Sequence, residues 1–185
     1  MGLFYTKKGD KGRSHIGKKT VSKIRLEVEA LGQLDELNSM IGVLKSLPTG
    51  RAGQKISRDL QKILHQIQEN LFIIQANIAN VMMGNEFKAP YFGADKTEKA
   101  EKIIDKIEAE LKPVRGFIIS GTNNTSAWLD FMRAKSRNVE RAVLKINKIN
   151  SFPEIKSYLN RLSSLLFALA RWEARGKKEK NPKYK

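Results

Sequence analysis

Glycine and basic residues are interspersed in residues 1–24, and this composition could bind phosphate groups. Gly9, Gly12 and Gly17 allow backbone N–H groups to approach a ligand closely. The basic residues among them supply positive charge: Lys7, Lys8, Lys11, Arg13, Lys18, Lys19 and Lys23. The segment therefore predicts a nucleotide-binding loop, although composition alone leaves open a basic arm without fixed structure.

A second candidate for chemistry lies about two thirds of the way along the chain. At about 100° per residue, Arg133, Arg137 and Glu140 fall within a helical stripe about 60° wide, and Arg141 flanks it. Two guanidinium forks one turn apart suit a polyphosphate or a buried carboxylate. A surface ladder of ion pairs is the alternative interpretation.

Asp35 is the third candidate, because it stands in the apolar register of a helix beside Leu34 and Ile41. An unpaired buried carboxylate is costly, so the pattern predicts a cationic partner from another element. Arg133 is the candidate partner. The alternative is a partly exposed residue at the edge of the stripe.

The residue types exclude several other chemistries. The chain has no cysteine, which excludes disulfides, thiolate metal sites and a cysteine nucleophile. His15 and His65 are isolated, and the serines lack a His–Asp context for nucleophilic catalysis. Residues 12–19 come close to a Walker phosphate loop, but Lys19 replaces the magnesium-binding Ser or Thr and no buried strand precedes them.

The formal net charge of +16 suits an anionic partner. Much of this charge is Lys among Glu on helical faces, which favours solvated surface over a nucleic-acid footprint. No apolar run approaches the ~18–20 residues needed to span a membrane, and the N-terminus lacks a secretory signal. We therefore expect a cytoplasmic protein with no membrane partner.

Apolar residues recur with helical spacing through most of the chain and predict an all-α, single-domain five-helix bundle. Capping motifs are predicted at Asp95 and at Ser151, with Pro153 in the first turn of the last helix. The predicted helices cover about 25–47, 54–79, 95–111, 125–147 and 153–175. The expected organisation is a nucleotide-binding segment at 1–24, the bundle at 25–175 and a basic tail at 176–185.

Four stretches of the chain, in this order, resemble the PduO-type corrinoid adenosyltransferases. They are residues 5–12 with 21–23, 28–39, 133–141 and 158–163. The resemblance implies a homotrimer of five-helix bundles with active sites at subunit interfaces.

The resemblance also implies roles for individual residues. The implied ATP-binding residues are Thr6, Lys7, Lys8, Gly9, Asp10, Gly12, Ser14, Lys23, Arg137, Glu140, Arg141 and Asn160. Asp35, Arg133, Arg137 and Glu140 form the implied catalytic group, with Asp35 and Arg133 pairing across the subunit interface. Phe117 is expected to crowd the lower face of the corrin.

The implied reaction transfers the adenosyl group of ATP to the cobalt of cobalamin. The corrinoid binds as cob(II)alamin, loses its lower axial ligand and is reduced, and Co(I) attacks C5′ of ATP to give adenosylcobalamin and triphosphate. Mg²⁺ is expected to come with the ATP phosphates, its protein ligands being unspecified. The implied partners are an electron-donating reductase and an adenosylcobalamin-dependent acceptor enzyme.

The chain departs from the family pattern at Asn138, where a second arginine usually follows the first, and at Ser164, where Asp is usual. Asn138 motivates one alternative, a catalytically degenerate relative that binds ATP or carries adenosylcobalamin. The net charge motivates the other, a basic helical nucleic-acid-binding module, although a helix-turn-helix or an aromatic stacking platform is not recognisable.

Overall fold

The structure is a computed structural model that describes residues 5, 7, 9–16, 19–47, 56–113 and 116–184. Within them lie a β-hairpin, five α-helices and one 3₁₀ turn, so the predicted five-helix fold is confirmed. The elements are β1 Arg13–Ile16, β2 Lys19–Ser22, α1 Leu26–Ser46, α2 Arg58–Met83, α3 Asp95–Glu110, α4 Asn124–Leu144, the 3₁₀ turn Asn147–Ser151, and α5 Pro153–Ala174.

The helices pack as a bundle because each carries an apolar stripe of helical period. α4 packs against α5 and α1, α3 packs on α5, and α2 packs on α1. Leu34, Ile41, Leu71, Leu129 and Leu166 are fully buried at the centre. Burying a side chain of this size stabilises the fold by roughly 1.5–3 kcal/mol. None of the described helices is both long enough and apolar enough to cross a membrane.

The hairpin was not predicted from the sequence. Its strands pair antiparallel, from Arg13 opposite Ser22 to Ile16 opposite Lys19, and Val21 is buried. A turn precedes it, in which Gly12 has φ +70°, a left-handed conformation that glycine adopts without strain. The N-terminal segment is therefore a turn and a two-stranded ribbon where it is described.

The start of α4 is fixed by a capping box. The Asn123 side chain accepts a hydrogen bond from the Ser126 N–H at 2.8 Å, and the Ser126 hydroxyl accepts one from the Asn123 N–H at 3.1 Å. The Asn123 amide also donates to the Glu173 carbonyl at 2.7 Å. The turn before α4 therefore ties this helix to the end of α5.

The predicted capping motifs at Asp95 and Ser151 are wrong. Ala94 and Phe152 are the N-cap residues of α3 and α5, and neither makes a side-chain cap. Asp95 lies inside its helix and pairs with Lys99, one turn on, at 2.9 Å. Pro153 does occupy the first turn of α5 as predicted, since its missing N–H would have no helical partner there.

Two helix ends also differ from the prediction. α2 continues to Met83 rather than ending near 79, because Val81, Met82 and Met83 are all buried and extend its apolar face. Gly84, with φ +79°, ends it. α4 ends at Leu144, three residues before the predicted end at 147.

The segment after α5, predicted as a basic tail, contacts residues 117–119, which precede α4. The Ile119 N–H donates to the Lys180 carbonyl at 2.8 Å, and the Asn181 amide donates to the Phe117 carbonyl at 2.8 Å. Glu179 pairs with Arg171 at 2.5 Å. We call residues 176–184 the C-terminal strip.

Candidate functional site

A cleft of about 730 Å³ lies between α3, α4 and α5. Its apolar lining residues are Ile104, Ile107, Leu111, Pro113, Phe167 and Ala168. Its polar lining residues are Glu108, Lys112, Arg133, Arg137, Ser163, Ser164 and Arg171. An apolar wall beside three guanidinium groups suits a large ligand that has an apolar face and a polar or anionic edge.

Arg133 and Arg137 lie together at this cleft, as the predicted stripe requires. Arg133 is half-buried, and its Nε lies 3.9 Å from the Oδ1 of buried Asp130. Arg171, from α5, donates to the other oxygen of Asp130. Asp130, Arg133 and Arg171 therefore form a charged cluster that joins α4 to α5 at the cleft wall.

Asp130 and Arg171 were missed by the sequence analysis. Asp130 precedes Arg133 and Arg137 by three and seven residues, so all three share one helical face, and this spacing was a usable signal. Arg171 gave no such signal, because its partners Asp130 and Glu179 lie in other elements.

Glu140 and Asn160 are also brought together. The Asn160 amide donates to the Glu140 carboxylate at 3.0 Å, which links α4 to α5. Arg141 donates to Asn138, the residue that departs from the family pattern. Asn138 therefore orients a neighbouring guanidinium group instead of supplying one.

Within one chain Asp35 does not pair with Arg133, and the predicted pair across a subunit interface stays a prediction. Asp35 is exposed, and among the described residues no cation lies within ion-pair distance of it. Lys135, not Arg133, faces α1: it is buried, pairs with Glu36 and donates to Gln33 at 2.5 Å. Residues two apart on a helix point about 200° from each other, so Arg133 points away from α1.

The predicted nucleotide-binding residues of the N-terminal segment lie in and before the hairpin. Thr6 and Lys8 fall outside the described residues. A Cβ added at Gly9 would lie 3.2 Å from the Lys23 Nζ, so these two predicted residues are neighbours. The other predicted residues are accessible to solvent: Lys7, Asp10 and Gly12 are exposed, and Ser14 is half-buried.

A second hollow, of about 340 Å³, lies where β2 meets α1 and the ends of α2 and α4. Four cations line it: Lys19, Arg25, Lys145 and Lys148. A hydrogen bond from Arg25 is the main cause that lowers the pKa of Glu27, and the charges of Arg25 and Lys148 add smaller contributions, so this one acid stays ionised. The sequence gave no signal for this basic hollow, because its cations come from different parts of the chain.

Phe117 lies between α3 and α4, and the residue is 75% exposed. The Asn181 amide holds the Phe117 carbonyl, so the C-terminal strip fixes the backbone beneath the ring. An exposed aromatic ring on a fixed backbone can stack on a flat ligand.

A protein-held metal centre is not found in the described part of the chain. Those residues contain no group of three or more His, Asp or Glu side chains arranged to hold a metal ion.

Comparisons with known proteins agree along nearly the whole chain. A family model described as "Cobalamin adenosyltransferase" matches residues 4–173. A corrinoid adenosyltransferase of Citrobacter freundii is 33% identical over 175 residues, which cover 94% of this chain and 96% of that protein. A corrinoid adenosyltransferase of Bacillus subtilis (strain 168) is 34% identical over 168 residues, which cover 90% and 84%.

The fold is similar to that of a solved relative. A variant PduO-type ATP:corrinoid adenosyltransferase from Lactobacillus reuteri, complexed with cobalamin and ATP, superposes with a TM-score of 0.85 at 27% identity. The superposition covers 97% of this chain and 99% of that one.

Proposed function

Because this chain belongs to the cobalamin adenosyltransferase family, we propose that it transfers the 5′-deoxyadenosyl group of ATP to the cobalt of a reduced corrinoid. The observation that carries the proposal is the family match over residues 4–173. The geometry agrees with it, since an apolar cleft and a basic hollow offer places for a macrocycle and a triphosphate.

The corrinoid binds at the cleft. The flat macrocycle faces the apolar wall of α3 and α5, and its amide-bearing edge faces Arg133 and Arg137. Phe117 stacks below the ring and takes the place of the lower axial ligand. Losing that ligand makes reduction of Co(II) to Co(I) easier.

ATP binds to the N-terminal turn and hairpin, with Arg137, Glu140 and Asn160 completing its site. The electron pair of Co(I) forms a bond to C5′, the C5′–O5′ bond breaks, and triphosphate leaves with that bonding pair. The protein holds the two reactants in line and stabilises the charge of the leaving group with its cations. Lys19, Arg25, Lys145 and Lys148 of the basic hollow extend the predicted set.

Mg²⁺ would enter with the ATP phosphates, as it commonly does at nucleotide sites, and its protein ligands are unspecified. When bound, it supplies positive charge to the triphosphate. The lysines and arginines of this chain supply the remaining positive charge that stabilises the leaving triphosphate.

The active site is completed by a second subunit of a homotrimer. Asp35 of one protomer pairs with Arg133 of its neighbour. The exposure of Asp35 supports this pairing, which gives Arg133 a second acid beside Asp130. The reaction takes place in the cytoplasm, with a reductase supplying the electron and an acceptor enzyme using the product. The nucleic-acid alternative gains no support, since the matched range belongs to an enzyme family.

The test is an anaerobic assay. The protein is mixed with chemically reduced cob(I)alamin, ATP and Mg²⁺, and the visible spectrum is followed. The expected result is loss of the Co(I) bands and appearance of a light-sensitive alkylcobalamin, which requires both ATP and protein. If Co(I) persists while ATP still binds in a parallel titration, the chain is a binding relative and the proposal fails.

A further inference from the structure

Asp130 is a buried carboxylate shared by two arginines at the cleft wall. It is 5% exposed, as is Arg171, whose guanidinium group donates to it. Arg133, three residues further along α4, lies 3.9 Å from the other Asp130 oxygen. A carboxylate buried this deeply is retained only where cations compensate its lost hydration.

The two arginines depend on Asp130 to different degrees. Arg171 also pairs with Glu179 at 2.5 Å, so it keeps an acid when Asp130 is neutralised. Arg133 has no other acid within ion-pair distance among the described residues of its own chain, and its buried Nε makes no hydrogen bond. Its position is therefore set by attraction to Asp130 rather than by a directional bond, and without that charge Arg171 would repel it.

We propose that Asp130 is a positioning residue, which holds Arg133 at the cleft wall while Arg171 fixes the carboxylate from the opposite helix. This inference rests on the proposed function, because Arg133 acts on the reactants only if the cleft is the corrinoid site. It adds a residue that the resemblance did not supply, and it gives Arg171 a role through Asp130 rather than through the ligand.

A double-mutant cycle tests the assignment. Asp130→Asn keeps the size of the side chain and an oxygen for Arg171 but removes the charge. In the wild-type background we expect kcat to fall about tenfold, and in the Arg133→Ala background less than about twofold, because coupled neighbours are not additive. Equal losses in the two backgrounds would mean that Asp130 acts on stability alone and would overturn the inference.

A matched control is Glu101→Gln, which breaks the Arg161–Glu101 pair between α3 and α5 (2.9 Å). We expect its kcat to stay within about twofold of the wild type, as for most exposed pairs. If Asp130→Asn does not fold at the assay temperature, Asp130→Glu replaces it in the cycle, since the longer side chain displaces the carboxylate. The criterion of coupling to Arg133 is unchanged.

A second readout separates this inference from the proposed function. The same four proteins are titrated with cob(II)alamin, and binding is followed by visible absorbance. We expect Asp130→Asn to weaken binding at least about threefold only where Arg133 is present. If the wild type does not transfer the adenosyl group, the proposed function fails but this titration still decides: coupling supports the positioning role, and its absence refutes it.

Discussion

Arg137 is the most exposed of the three arginines that line the cleft. It lies one turn after Arg133 and one turn before the Glu140–Asn160 hydrogen bond, between the two proposed substrate sites. Its guanidinium fork can hold two phosphate oxygens at once, which a lysine cannot do. From this position the Arg137 guanidinium group can reach the negative charge that develops on the leaving triphosphate.

We predict that Arg137→Ala lowers kcat/KM by the equivalent of roughly 2–4 kcal/mol, the loss typical of removing one donor to a developing charge. Anaerobic initial rates at varied ATP measure it. Arg161→Ala removes an arginine of the exposed α3–α5 pair and serves as the control, with little expected change. A wild-type kcat/KM in Arg137→Ala would contradict the assigned site.

Tyr158 is a residue of the core rather than of the site. It is 1% exposed, its ring packs edge-on against Phe92, and its hydroxyl accepts a hydrogen bond from the Asn70 amide at 3.1 Å. Burial raises the pKa of Tyr158 to about 12, whereas an unfolded tyrosine ionises near pH 10. Above pH 10 the unfolded chain therefore loses this proton first.

We predict that the free energy of unfolding decreases at alkaline pH because of the raised pKa of Tyr158. Its contribution is complete below pH 10 and falls as the pH rises towards 12, by about 2–3 kcal/mol in all. Tyr158→Phe removes this term, although at pH 8 it costs about 1–3 kcal/mol by leaving the Asn70 amide unpaired. Urea unfolding of both proteins at pH 8, 10 and 11.5 measures the difference; parallel pH dependences would contradict the prediction.

Residues on one helix were predictable, and contacts between helices were not. The stripe of Arg133, Arg137 and Glu140 follows from spacing alone, and the structure places the two arginines together. Spacing alone left open whether Asp35 is buried, because a position at the edge of an apolar stripe is as compatible with solvent as with the core, and the structure shows it exposed. Arg171 was not predictable from spacing, because its ion-pair partners, Asp130 and Glu179, lie in other elements.

At the scale of the elements, α4 carries both the cleft arginines and the contact with α1, so its register decides where they point. Its start is fixed by the Asn123–Ser126 capping box and by the bond from Asn123 to the end of α5. Because the first turn of α4 is held at two points, fraying of this helix end does not extend to Asp130 and Arg133, about two turns further on.

We predict that Asn123→Ala lowers the free energy of unfolding by about 1–2 kcal/mol, the usual cost of losing a side-chain cap. Because the cleft arginines lie on the same helix, its kcat should fall as well. Ser57→Ala is the matched control, as Ser57 caps α2, which does not line the cleft. It should lower stability by about 1 kcal/mol and leave kcat unchanged. Thermal melts and initial rates compare the two, and an equal effect on kcat would contradict the argument.

The helices themselves followed from the sequence, because an amphipathic helix repeats its apolar residues every three to four positions. The hairpin and the C-terminal strip did not. Four-residue strands are too short for a period to stand out, and the strip is held by single bonds such as that from Ile119 to Lys180. The α3 cap was predicted one residue late, because Asp95 can serve as a cap or as an ion-pair partner.

At the scale of the whole molecule, a net charge of +16 must be reconciled with assembly. Like-charged chains repel one another, so a trimer needs specific pairs of opposite charge at its interfaces. Asp35 is an exposed acid with no cation near it in the described part of its own chain, which makes it available to a neighbour.

We predict that the protein sediments with three times the mass of its 21.0 kDa chain. Asp35→Ala should shift this equilibrium towards smaller species and lower kcat, since it removes the proposed partner of Arg133. Sedimentation velocity at several protein concentrations measures the shift, with the exposed Asp105→Ala as control. A monomeric wild type that is fully active would contradict a site shared between subunits.

Trp172 follows Arg171 directly, and its indole ring lies 4.0 Å beneath the guanidinium carbon of Arg175. Arg175 immediately precedes the C-terminal strip, and Arg171 lines the cleft. Indole emission responds to a charge held against the ring, so a ligand that moves Arg175 changes the colour or yield of the fluorescence. The chain has only one other tryptophan, Trp128. Substituting Trp128 by Phe would leave a single intrinsic reporter, with which occupation of the cleft can be followed in real time without a label.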